Sequence, residues 1–148
     1  MTDPITGNPI LAPAAVLVAW TLFMLLWMVV TRLPAMSAAG ISLFGDLPGT
    51  RRGADLDGVI PDRVNWKSHN YTHLHEQPTL FYATVAILAI HGGYSLLDLR
   101  LAWAYVAFRV AHSLVQATIN YVPLRFTLFG CATLCLLGLA YSALRLTL

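Results

Sequence analysis

Charge is the scarcest resource in this chain. Of its 148 residues only 11% are Asp, Glu, Lys or Arg, against the roughly 25% of a soluble domain. That excludes a fold with water on all sides. The net charge of +2 is small and scattered, which excludes the dense basic face of a nucleic-acid binder. Cysteine is nearly absent. Cys131 and Cys135 lie one helical turn apart in an apolar run, a spacing for thiols packed in a bundle and no basis for a disulfide framework. A secretory signal is also not expected. Met1-Thr2-Asp3-Pro4 lacks a basic region, and the apolar run behind it is too long for a signal core.

What is present is apolar length. Hydrophobic residues make up 57% of the chain, and the mean hydropathy is +0.66. A helix crossing a hydrocarbon core of about 30 Å needs roughly 20 such residues. The chain therefore reads as a single-domain, all-α membrane protein, a four-transmembrane-helix bundle with helices near 10–31, 62–91, 97–119 and 123–146. The first run has no charge from Ile10 to Thr31, and Arg32 with Pro34 is expected to end it. Residues 32–61 hold glycines, prolines, Arg51, Arg52 and aspartates, and read as a loop. Pro61-Asp62 marks the next helix start, His91-Gly92-Gly93 a stop, and Pro123 the opening of the last helix.

Arg32, Arg51, Arg52, Arg63, Lys67 and Arg125 gather on one side of this layout, leaving Arg100 and Arg145 on the other. The positive-inside rule places the large loop in the cytoplasm and both termini outside. Arg51 and Arg52 read as loop charges near anionic headgroups. Arg32 reads as snorkelling at the end of the first span.

Ionisable groups within spans are costly and point to function. His69, His73 and Glu76 are spaced i, i+4, i+7, and Arg109, His112 and Gln116 are spaced i, i+3, i+7. Each set shares a helical face, and Arg125 follows at the start of the last helix. Arginines of this kind hold carboxylates in bidentate pairs, an acid takes an ammonium, and a nearby arginine favours thiolate over thiol. Plainer readings stand beside these. Glu76 pairs with Arg109 or another helix's arginine, and His73 and His112 hydrogen-bond between helices. A third option is a metal site of His69, His73, Glu76 and His112.

Arg109-Val110-Ala111-His112-Ser113, Pro123-Leu124-Arg125 and Glu76-Gln77-Pro78-Thr79-Leu80-Phe81-Tyr82 together resemble the MAPEG family, the membrane-associated proteins in eicosanoid and glutathione metabolism. The resemblance spans nearly the whole chain. It implies a homotrimer among membrane lipids, with glutathione in clefts between protomers and a lipophilic small molecule as second substrate. In that frame Arg125 is catalytic, holding the thiol as thiolate. Glu76 takes the glutathione amine, and Arg32, His73, Arg109, His112 and Gln116 complete the binding set. Gln116 and Phe129 stand where the glutathione-binding members carry tyrosines, Phe126 where some have serine, and Thr72 where a basic residue is common. The implied activity is a glutathione transferase or peroxidase acting on lipophilic electrophiles or lipid hydroperoxides. The alternative is a non-catalytic trimer binding a lipid or another small ligand.

Overall fold

In a computed structural model, residues 7–41 and 53–148 are described, and all of their regular structure is helical. Arg51 and Arg52 lie outside the described residues. Five α-helices follow one another: α1 (Leu11–Ala38), α2 (Asp62–His73), α3 (Gln77–His91), α4 (Leu96–Thr118) and α5 (Val122–Thr147), with a 3-10 turn at Gly53–Leu56. They make a four-helix bundle whose second member consists of two pieces, α2 and α3.

The helix ends follow local chemistry, with two departures from the sequence reading. α1 does not stop at Arg32 and Pro34; it runs on to Ala38 with Pro34 inside it. Proline removes one N–H, whereas unwinding there would free several backbone groups, and Ala35, Met36, Ala38 and Ala39 are mostly strong helix formers. Gly40 ends the helix instead. At φ +72° it adopts the left-handed conformation glycine tolerates, and the Ile41 N–H reaches back to the Met36 carbonyl at 2.9 Å, a Schellman closure.

The second departure is the break at Leu74–Glu76, where a continuous helix over 62–91 was expected. Pro78 has no N–H to offer the Leu74 carbonyl and disfavours helix just before itself. The chain therefore restarts, with the proline in the first turn of α3. Elsewhere α2 begins directly behind Pro61, α3 ends on Gly92 at φ +68°, and Pro123 sits in the first turn of α5.

α4 and α5 form the most extensive helix pair. Their shared core of Ala102, Tyr105, Val106, Ala132, Leu136 and Leu139 is joined by Leu17 and Met24 from α1 and by Phe81, Val85 and Leu88 from α3. Phe81 stacks on Tyr105 with centroids 4.2 Å apart. The polar helix α2 is tied down separately. Lys67 lies over the Trp27 ring, 5.3 Å from its centroid, and its ammonium gives a hydrogen bond to the Arg63 carbonyl.

α1 and α5 are long and apolar enough to cross a membrane, and only 11% and 28% of their most apolar stretches are buried. Core helices of a soluble fold would be far more covered. Leu22, Leu26, Val30, Leu134 and Leu137 all face outward, making an apolar exterior of the kind that meets lipid or another subunit. α3 has 15 residues, short of the usual spanning length, and α4 carries Asp98, Arg100 and Arg109.

α4 starts in a capping box. Ser95 Oγ accepts from the Asp98 N–H at 3.2 Å, and the Asp98 carboxylate accepts from the Ser95 N–H at 2.7 Å. Ser95→Ala is expected to cost about 1 kcal/mol, read as a lower unfolding midpoint in mixed micelles, with Ser95→Thr close to the unmutated protein.

Candidate functional site

The C-terminal end of α2, the start of α3, the C-terminal end of α4 and the start of α5 meet at one end of the bundle. This is the end from which the segment between α1 and α2 also departs. Most of the polar residues singled out in the sequence converge here.

Arg109 is the deepest of them, 1% exposed. Its Nη2 donates to the His73 carbonyl at 2.8 Å, one of the carbonyls that the end of α2 leaves unpaired. Nε and Nη1 of the same guanidinium are buried without a hydrogen-bond partner among the described residues. Held this way, His73 turns Nδ1 to Glu76 Oε2 at 2.6 Å. Its ring stacks on Phe129, with centroids 5.6 Å apart and planes 18° apart, and meets His112 edge-on at 5.2 Å.

Two sequence expectations change at this point. Glu76 pairs with His73, its neighbour three residues earlier, rather than with Arg109. His73 and His112 touch through their rings instead of sharing a hydrogen bond.

Arg125 reaches the same place from α5. The turn before it depends on Asn120, which has φ +51°, a conformation asparagine tolerates better than most residues. The Asn120 amide oxygen accepts a hydrogen bond from Arg125 Nη1. Arg125 Nε remains buried and without a partner among the described residues.

Two cavities share His73 and Arg125. One, of about 220 Å³, is lined by His73, His112, Val122, Arg125, Phe126 and Phe129. The other, of about 590 Å³, is bordered by Ser68, Thr72, Glu76 and Gln116 among others. Gln116 is 5% exposed, and its amide oxygen lacks a partner among the described residues. Arg32 stands one step back, donating to Ser68 Oγ at 2.5 Å. Both cavities are thus cationic on α5 through Arg125; the larger adds the acid Glu76 at the α2–α3 break, and the smaller adds Phe126 and Phe129.

The metal alternative does not assemble. His69 is drawn off to Asp57, with Nε2 3.2 Å from both carboxylate oxygens. Among the described residues no three His, Cys, Asp or Glu side chains come together to hold a metal ion.

The sequence reading also passed over a polar junction beneath the site. Ser113 Oγ accepts from the Trp20 indole N–H at 3.0 Å and from the Asn70 amide at 2.7 Å, joining α1, α2 and α4. A second link runs from Tyr105 through Gln77 to Thr133. Small hydroxyls at single positions carry no periodic signal. The clue available was Asn70, a polar residue beside the His69–His73 face.

The fold and site define a class: a helical membrane protein with a buried cationic cleft at one end of its bundle. A comparison with family models gives the same answer. The model of the MAPEG family matches residues 10–145, and the chain belongs to that family of membrane-bound proteins, whose members in general use glutathione as substrate or cofactor. No curated protein and no solved structure matches the chain.

Removing the Ser113 hydroxyl takes the acceptor from a buried amide, Asn70, and a half-buried indole N–H, Trp20, at once. Ser113→Ala is expected to cost about 1–3 kcal/mol, read as a drop in the thermal midpoint in detergent, with Ser113→Thr recovering most of it.

Proposed function

We propose that this protein is a membrane-bound glutathione transferase or peroxidase, acting on lipophilic electrophiles or lipid hydroperoxides at the end of the bundle where α2, α3, α4 and α5 meet. The observation that carries the reading is the pair of adjoining cavities that share His73 and Arg125. The larger is within the range of about 300–1,000 Å³ usual for ligand pockets.

Glutathione has two carboxylates, an ammonium and a thiol, and the residues present suit each of these groups. Arg125 has a buried Nε without a partner among the described residues, a charge-assisted donor for an anion. Gln116 offers an unpartnered amide oxygen to an N–H. One Glu76 oxygen accepts from His73, which leaves the other for the ammonium. Arg109, His112 and Arg32 frame the cleft: Arg109 through the His73 carbonyl, His112 through the smaller cavity, and Arg32 through Ser68. Bound glutathione supplies a nucleophilic thiol, and Arg125 stabilises negative charge at its sulfur.

The second substrate enters from the bilayer side. Val122 and Phe126, both exposed and apolar, line the smaller cavity. Four spans with the large loop cytoplasmic, both termini outside, and assembly into a homotrimer belong to the same proposal. The apolar exteriors of α1 and α5 support it.

One observation favours a second reading, a non-catalytic trimer that binds a lipid or other small ligand. The Phe129 ring is spent on stacking His73 and carries no hydroxyl for a polar ligand.

A single comparison separates the two. Purified protein is expected to bind glutathione at millimolar concentration or below and to conjugate a generic aryl halide. Arg125→Ala is expected to lower the conjugation rate by about 10²-fold or more. Absence of both binding and conjugation in the unmutated protein sinks the transferase reading. Unchanged conjugation by Arg125→Ala removes the role assigned to the arginine.

A further inference from the structure

The His73–Glu76 contact has more order in it than ligand binding requires. A carboxylate can only accept at Nδ1, so at 2.6 Å the imidazole holds its proton on that nitrogen. In the neutral ring Nε2 then carries the lone pair. Phe129 covers one face of the ring, and His112 meets it edge-on. The His73 backbone is tied to α4 by Arg109. A ring confined on these sides has little freedom to turn. It lines both cavities beside Arg125, so the nitrogen available to a ligand there is Nε2.

A carboxylate-oriented imidazole beside a fixed cation is the arrangement that generates a bound nucleophile. We propose that His73 is the general base of this site, taking the thiol proton at Nε2, with Glu76 as the residue that fixes its tautomer and Arg125 as the cation facing the sulfur. The inference rests on the transferase reading above and deepens it.

The step balances as follows. The S–H bond breaks with its electron pair left on sulfur, and the proton passes to Nε2 of His73. Sulfur then bonds to the electrophilic carbon of an aryl halide, and halide leaves with the carbon–halogen pair. His73 returns the proton to water. Solvent is close at hand, because the Glu76 side chain is 60% exposed. The charged and titratable groups around His73 are Glu76 at the break, His69 on α2, Arg109 and His112 on α4, and Arg125 on α5. Apart from the paired Glu76, those close to the ring on α4 and α5 are basic or neutral. An imidazolium formed here therefore depends on Glu76 for its compensating charge.

The test uses the full chain in detergent or nanodiscs and follows three readouts. The first is the ultraviolet absorbance of the thiolate, recorded by stopped flow after mixing with glutathione. The second is binding of S-methylglutathione, which has no proton to give. The third is the ring-nitrogen NMR spectrum of His73. The unmutated protein is expected to show a protonated Nδ1 that is lost in Glu76→Ala, which leaves no acceptor there. His73→Asn is expected to slow thiolate formation by about 10²- to 10⁴-fold at glutathione concentrations that fill the site, as set by S-methylglutathione binding to the same variant. Added imidazole is expected to restore the rate to His73→Ala, which a merely structural role would not allow.

Thiolate formation at the unmutated rate in His73→Asn overturns this inference and leaves the transferase reading standing. Failure of the unmutated protein to bind glutathione overturns both. Should His73→Asn lose S-methylglutathione binding, the imidazole experiment decides, and absence of rescue counts against the general base.

Discussion

The site is organised around a guanidinium that has almost no contact with water. Arg109 sits in the middle of α4, and its hydrogen bond to the His73 carbonyl closes the end of α2. Burying a charge of this kind is expensive unless it is paired and hydrogen-bonded. What Arg109 does in return is specific: it fixes where the second helix stops. That stop turns His73 toward Glu76, Phe129 and His112, and gives Arg125 a neighbour across the cleft.

The same logic explains how polar residues are tolerated in so apolar a chain. Ser113 gathers two donors from two other helices, and Gln77 links Tyr105 to Thr133. Each satisfies groups that would otherwise be stranded in low dielectric. Among the described residues, the buried side-chain atoms left without a partner are Arg125 Nε and Gln116 Oε1, on residues that line the cavities, together with Nε and Nη1 of Arg109 and the amide oxygens of Asn8, Asn65 and Asn70. The two on cavity-lining residues, Arg125 and Gln116, are placed to meet a ligand. The fold then has two tasks at different depths, with Leu17, Phe81 and Leu139 in the apolar body and the charged cleft at its end.

Much of this was legible in the residues themselves. The scarcity of charge and the length of the apolar runs pointed to a helical membrane bundle, and the family resemblance read from Arg109–Ser113 and Pro123–Arg125 agrees with the match over residues 10–145. Proline was the weak point of the reading, in both directions. Pro34 was given the power to end a helix that in fact continues, and Pro78 was passed over although it helps to split one. Its effect depends on what the freed backbone groups find nearby, which a sequence does not display. The site residues were found by type and spacing, but their pairings were not. Glu76 was matched with Arg109 because opposite charges attract, and His73, three residues before it, took that place. The caps at Ser95 and Asn120 were missed for different reasons. Ser95-Leu96-Leu97-Asp98 is a recognisable capping pattern, whereas the left-handed turn at Asn120 shows itself only in three dimensions.

If Arg109 holds the α2–α3 break, then removing its donors should loosen that break and little else. Amide hydrogen exchange of Arg109→Met, compared with the unmutated protein in the same detergent, tests this most directly. The account predicts faster exchange across Tyr71–Thr79, with protection in α1 and the apolar body of α5 unchanged. Unaltered exchange across Tyr71–Thr79, or loosening spread evenly through the bundle, would contradict it.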